Sequence, residues 1–169
     1  MGRFKNRAIA WFLTRFPSLF ERSVRNVRPL TLKGVPWTPF TKGLKYATFA
    51  IVTTAGVHLK GHKPFNMTDK DGDPSFRIIP SDAPVDEYAI THDYYDHGDA
   101  DRDINIVFPI DRMREIKEEG TIGGLAPFNY GFMGHIDGPH IDTLINETAP
   151  EVALRLRKER VDAVLLTPG

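Results

Sequence analysis

The sequence predicts an α/β fold: a mostly parallel sheet with helices packed on it, Rossmann-like and three-layered, preceded by an amino-terminal amphipathic helical segment. Three observations predict it. Tyr46 to Thr53, "YATFAIVT", is a run of apolar and β-branched residues of the kind found in strands buried on both faces. "IDRMREIKEEG", with Pro109 before it and Gly120 near its end, carries the punctuation of a helix. Val161 to Leu166, "VDAVLL", is another buried run, entered from a helical stretch. Strand and helix in alternation imply a parallel sheet, because the crossover between parallel strands has to span the sheet's length.

In chain order, Phe4, Ala8, Phe12, Phe16 and Phe20 recur every fourth residue and lie along one stripe of a helix, with Arg3, Arg7, Arg15 and Arg22 towards its flanks. Pro17 splits that helix. The pattern reads as a helix docked on the domain or on a partner; lying on a membrane is its other use. Arg28 to Gly43, with three prolines and two glycines, is an extended connector, so the chain divides into an extension over 1–43 and an α/β domain over 44–169. The strand Tyr46–Thr53 ends on a turn with Thr54, Gly56 and Gly61. His62 to Asp86 is too polar for core and reads as a long loop. "DINIVFP" is expected to be a strand, followed by the helix after Pro109. Ile141 to Arg160 carries Leu144, Ile145, Val152, Leu154 and Leu156 and is expected to be a helix feeding the last strand. Thr167, Pro168 and Gly169 begin the turn that leaves it.

Lysine plus arginine equals aspartate plus glutamate at 22 each, which argues against a nucleic-acid or membrane partner for the chain as a whole. The balance hides a segregation: seven basic residues against Glu21 through Arg28, and eleven acidic against three basic from Asn66 to Asp103. With no cysteine, neither a disulfide framework nor a thiolate metal site is available. No run approaches a membrane span and no signal-peptide pattern is present, so a cytoplasmic protein is expected.

The stretch "THDYYDHGDADRDIN" holds the candidate chemistry. His97 beside Asp96, and His92 before them, can serve as acid or base near neutral pH. Imidazole and carboxylate can also hold a divalent metal, although the spacing matches no metal signature and lacks the closing glutamate of a calcium loop. The plainer reading is a polar loop whose histidines bind substrate or fix the loop by hydrogen bonds. Thr53, Thr54 and Gly56 stand at a strand's carboxyl end, where hydroxyls and amides can hold a substrate carboxylate, and His58 lies on the same turn. "FNYGFMGHIDG" reads as a glycine-bent core loop or a flexible active-site segment.

"AIVTTAGVHLKGHKPF", "GDPSFRIIPSD", "HDYYDHGDADRDINIVFPIDRM", "GTIGGLAPFNYGFMG", "ETAPEVALRL" and "VDAVLLTPG" together resemble the selenoprotein B family of the glycine, sarcosine, betaine and D-proline reductases, in order from Tyr46 to Gly169. The resemblance implies a selenocysteine directly after Gly169 and a cysteine shortly beyond it, with this reading frame closed at the UGA codon and the domain incomplete at its carboxyl end. It implies reductive cleavage of a C–N bond in a small amino acid or amine, with a dithiol or thioredoxin-like donor. It also implies partner subunits of a larger complex, some carrying a pyruvoyl group, and an oligomeric assembly. The 169-residue chain alone is expected to be inactive. A metal-dependent lyase or hydrolase built on His92 and His97, and a non-catalytic scaffold subunit, are the alternatives.

Overall fold

The structure is a computed structural model and describes residues 2–16, 18, 21 and 38–168. Its hub is β1 (Thr48–Thr53), whose alternating side chains feed two separate cores. On one edge β1 pairs in parallel with β5 (Gly124–Leu125) and then β6 (Phe128–Phe132); on the other it pairs in parallel with β7 (Ala163–Thr167). β3 (Phe76–Pro80) closes the far side of β6 and runs antiparallel. The fold is therefore mixed α/β with a mostly parallel central sheet, as the sequence predicts. A short antiparallel ribbon, β2 (Val57–Leu59) with β4 (Tyr88–Ile90), stands beside it.

Period-two alternation explains the two cores. Ile51 packs with Ile79, Phe108 and the buried face of α2 (Ile110–Glu118), which contributes Ile110 and Met113. Its neighbour Val52 instead joins Tyr130, Phe132 and Val152, the last of these from α4 (Ala149–Lys158). Where β5 gives way to β6, the buried Asn129 completes the ladder: its Oδ1 accepts from the Ile51 N–H at 2.7 Å, and its amide donates to Ser81 Oγ at 2.7 Å.

The predicted helix Ile141–Arg160 is a continuous helical stretch: α3 (His140–Thr143), a π turn over Leu144–Thr148, and α4. Pro150 has no amide hydrogen for the ordinary fourth-residue bond, and the register widens ahead of it. Arg160 ends the stretch at φ +56°.

Four expectations are corrected. "DINIVFP" is a 3-10 turn over Ile104–Ile106, not a strand. The Asp103 side chain accepts from the Asn105 N–H, and Asn105 Oδ1 accepts from the Asp111 N–H, so local side-chain bonds outcompete a ladder. The loop His62–Asp86 contains β3, and "FNYGFMGHIDG" contains β6. Lastly, β7 is an edge strand: Leu166 is 72% exposed, since β7 has only β1 beside it among the described residues.

Helix α1 (Gly2–Arg15) also departs from the simplest reading. Its buried residue is Ala10, with Asn6 and Leu13 half-buried on the same face, whereas Phe4, Phe12 and Phe16 of the predicted stripe point outward. Arg3 fixes that orientation through Asp93. The expected break at Pro17, the stripe residue Phe20 and the connector up to residue 37 lie outside the described residues.

Candidate functional site

The three parallel strands β1, β6 and β7 deliver their carboxyl ends to one edge of the sheet, the position at which open α/β sheets place ligands. Thr53 is register partner to both Gly131 and Thr167. Its hydroxyl is fully buried and donates to the Val107 carbonyl at 3.0 Å; the Thr167 hydroxyl donates to the same oxygen at 2.7 Å. The backbone then turns. Thr54 N–H donates to the Thr167 carbonyl at 2.9 Å, and the Thr54 side chain is exposed. Gly56, at φ +74°, donates its N–H to Phe132 and accepts from Thr91 through its carbonyl, both at 2.9 Å. A Cβ there would stand 2.5 Å from the Thr91 carbonyl oxygen, so glycine is required by backbone conformation and by close approach together.

That bond to Thr91 brings in His92, which is 5% exposed. The Tyr94 N–H donates to its Nδ1 at 3.2 Å, which puts the ring proton on Nε2. Burial pushes the imidazole pKa down to about 4, reinforced by His97 and His135 and opposed by Asp93. His92 is thus neutral at physiological pH and presents an N–H donor. A Cβ on Gly134 would lie 3.2 Å from Nε2 and 2.8 Å from the Thr54 carbonyl oxygen. Glycine at 134 is thus required by the close approach of its backbone to Thr54 and His92 at the mouth of β1 and β6. Tyr95 backs it: its hydroxyl donates to the Ala55 carbonyl at 3.1 Å, and burial pushes its pKa up.

The Tyr95 ring stands between two imidazoles, 4.7 Å from His92 and 5.6 Å from His97 by ring centroids. His97 Nδ1 lies 2.8 Å from Asp101 Oδ2, leaving Nε2 as its second polar atom. Asp96 is exposed, and one oxygen accepts from the Gly98 N–H at 3.1 Å. His97 and Asp96 line a cavity of about 730 Å³ whose other wall is α1, through Arg7 and Trp11. Among the described residues no three His, Cys, Asp or Glu side chains group as a metal centre.

The expected site residues therefore divide by availability. Thr54 and His92 meet at the strand ends. His97 and Asp96 sit one aromatic ring away on the same loop. Thr53 and the Gly56 amide are committed to internal bonds. So is His58, which is buried: its Nδ1 lies 2.7 Å from the Leu59 carbonyl, its Nε2 2.7 Å from Thr91 Oγ1, and desolvation lowers its pKa. Gly134 and Thr167 were not among the expected site residues. Gly134 had a signal in the glycine-rich "FNYGFMG"; Thr167 needed the register of β7 against β1.

The family model described as glycine/sarcosine/betaine reductase selenoprotein B matches residues 6–169. The chain is 53% identical to the D-proline reductase subunit gamma of Acetoanaerobium sticklandii over 133 residues, which cover 79% of this chain and 53% of that protein. It is 34% identical to the glycine reductase complex component B subunit gamma of Symbiobacterium thermophilum over 136 residues, 79% of this chain and 31% of the relative. It is 29% identical to the betaine reductase complex component B subunit beta of Peptoclostridium acidaminophilum over 133 residues, 75% and 29% of the two chains. The matched part thus spans about half or less of each relative's length. No solved structure matches.

Proposed function

The chain belongs to the glycine/sarcosine/betaine reductase selenoprotein B family, and on that premise we propose that it forms the amino-terminal part of a reductase-complex subunit that opens a cyclic imino acid of the D-proline type. In that reaction the Cα–N bond breaks; a dithiol supplies two electrons and becomes a disulfide, while Cα and nitrogen each gain one proton. The observation that carries the reading is the gathering of Thr54, His92 and Gly134 where β1, β6 and β7 end. The greater similarity to a D-proline reductase subunit than to the glycine and betaine components supports the substrate.

These residues have stated tasks. The Thr54 hydroxyl and the His92 Nε2–H are donors suited to a substrate carboxylate, and neutral His92 supplies its donor without bringing a buried charge. His97, held by Asp101, is the group placed to move a proton. This stretch has no cysteine and hence no thiol for electron transfer. A selenol placed after Gly169, with a thiol to resolve it, would supply the redox chemistry at the end of β7. The partner subunits and a thioredoxin-like donor, some subunits bearing a pyruvoyl group, belong to the same proposal.

The test is reconstitution of the complete polypeptide with its partner subunits and a dithiol, measuring 5-aminopentanoate from D-proline. Turnover that needs selenocysteine or cysteine at the position after Gly169, and fails with serine, is expected. Conversion of glycine or betaine instead would overturn the substrate. Full turnover with serine would overturn the reductase reading itself.

A further inference from the structure

Helix α1 meets the rest of the chain through its less apolar side. Ala10 is its buried residue, and Arg3, at 2.6 Å and 3.4 Å, grips both oxygens of the buried Asp93. Away from Ala10, Ile9, Phe12 and Phe16 are each near half exposed, and Phe4 at 84% exposure and Trp11 at 59% stand on the flank that also walls the cavity with His97. Phe12 and Phe16 lie against each other with centroids 4.7 Å apart. Among and beside them stand Lys5, Arg7 and Arg15, none with an ion-pair partner among the described residues. Residues 2–16 include no acidic side chain.

We propose that α1 is an in-plane anchor that lays this aromatic and cationic face on an anionic lipid surface. Fourteen residues make a helix about 21 Å long, too short for a hydrocarbon core of about 30 Å. No helix among the described residues is long and apolar enough to cross a membrane. Aromatic rings with lysine and arginine around them are the pattern of a helix lying at the headgroup boundary. The distribution of the cations favours lipid over protein. An anionic headgroup layer attracts all three cations wherever their flexible stems reach, whereas a protein partner draws on only those that meet an acid. The expectation of no membrane partner rested on overall charge, which averages this helix against the acidic loop it docks on. The Arg3–Asp93 pair decides which side of α1 faces outward, and it places the helix beside the loop that carries His92 and His97.

The experiment is co-sedimentation of the full chain with phosphatidylcholine vesicles made with and without phosphatidylglycerol, at low and high salt. Binding to the anionic vesicles alone, weakened by salt, is expected. Each of Lys5→Gln, Arg7→Gln and Arg15→Gln should lower partitioning about fivefold, and the combined Phe4→Ala, Trp11→Ala, Phe12→Ala variant should abolish it. Arg3 is kept in every variant, and unchanged melting curves establish that the fold is kept. Absence of binding, equal binding to neutral vesicles, or binding indifferent to these changes would overturn the anchor. So would lipid-free dimerisation that the same aromatic substitutions remove, because the face would then belong to a second copy of the chain.

Discussion

Thr53 and Thr167, register partners on the parallel strands β1 and β7, donate their hydroxyls to one acceptor, the carbonyl oxygen of Val107. The two strand ends are thereby tied to the segment leading into α2, and the edge that carries the candidate site is held from below.

A shared acceptor predicts non-additive mutations. After either Thr53→Val or Thr167→Val alone, the Val107 carbonyl keeps one donor. Thr53→Val should cost about 1–2 kcal/mol, because it also removes the acceptor of the Ala55 N–H, and Thr167→Val less than about 1 kcal/mol. The double variant should cost more than the sum, since a buried carbonyl is then unpaired. Denaturant melts of the four proteins give the coupling directly; simple additivity would mean that the two bonds act independently.

Gly56→Ala should destabilise by more than about 2 kcal/mol, combining a positive φ with a 2.5 Å clash against the Thr91 carbonyl. Gly61→Ala, with open space around it, is the matched control and should be near neutral. A melt that does not separate the two variants would remove the geometric reason for glycine at 56.

Stability should fall on acidification, and His92 gives the sign. Its folded pKa of about 4 lies below the ordinary 6.5, so between these values the unfolded chain binds the extra proton. The contribution is complete above about pH 6.5 and lost progressively towards pH 4, roughly 3 kcal/mol across the window. His58, also lowered, acts in the same direction. His92→Asn keeps an acceptor for the Tyr94 N–H without a titrating ring, so its melting temperature should depend less steeply on pH. The same substitution removes the Nε2 donor and should lower turnover of the complete enzyme about 10²-fold.

Arg3→Ala should be worse than Asp93→Asn. The first leaves a carboxylate, 4% exposed by side chain, without its cation; the second removes the charge that needs one. About 2–3 kcal/mol and faster hydrogen exchange along α1 are expected for Arg3→Ala, against less than half that cost for Asp93→Asn. Equal effects would show that Arg3 holds the helix by packing alone.

The sequence by itself determined β1, α2, the helix after Ile141 and β7, because each announces itself within a dozen residues: a branched apolar run, or a 3.6-residue repeat bounded by proline and glycine. It also determined the chemistry on offer, histidines and threonines without a thiol. Tertiary structure decided which of them are usable. β3 is a strand because β6 supplies its ladder, and β6 because it lies between β3 and β1, while "DINIVFP" loses its apparent strand to the Asp103 and Asn105 side chains. His58 and His92 look alike in sequence, each near a strand end, yet the first has both ring nitrogens engaged and the second turns Nε2 towards Gly134. Likewise, the Phe4 stripe lies on α1 by periodicity alone, but the contact between Arg3 and Asp93, ninety positions apart, turns it outward. Periodicity is local and can be read along the chain; burial, the partner of each polar atom and the side of a helix that docks are set by residues distant in sequence, and only the folded arrangement brings them together.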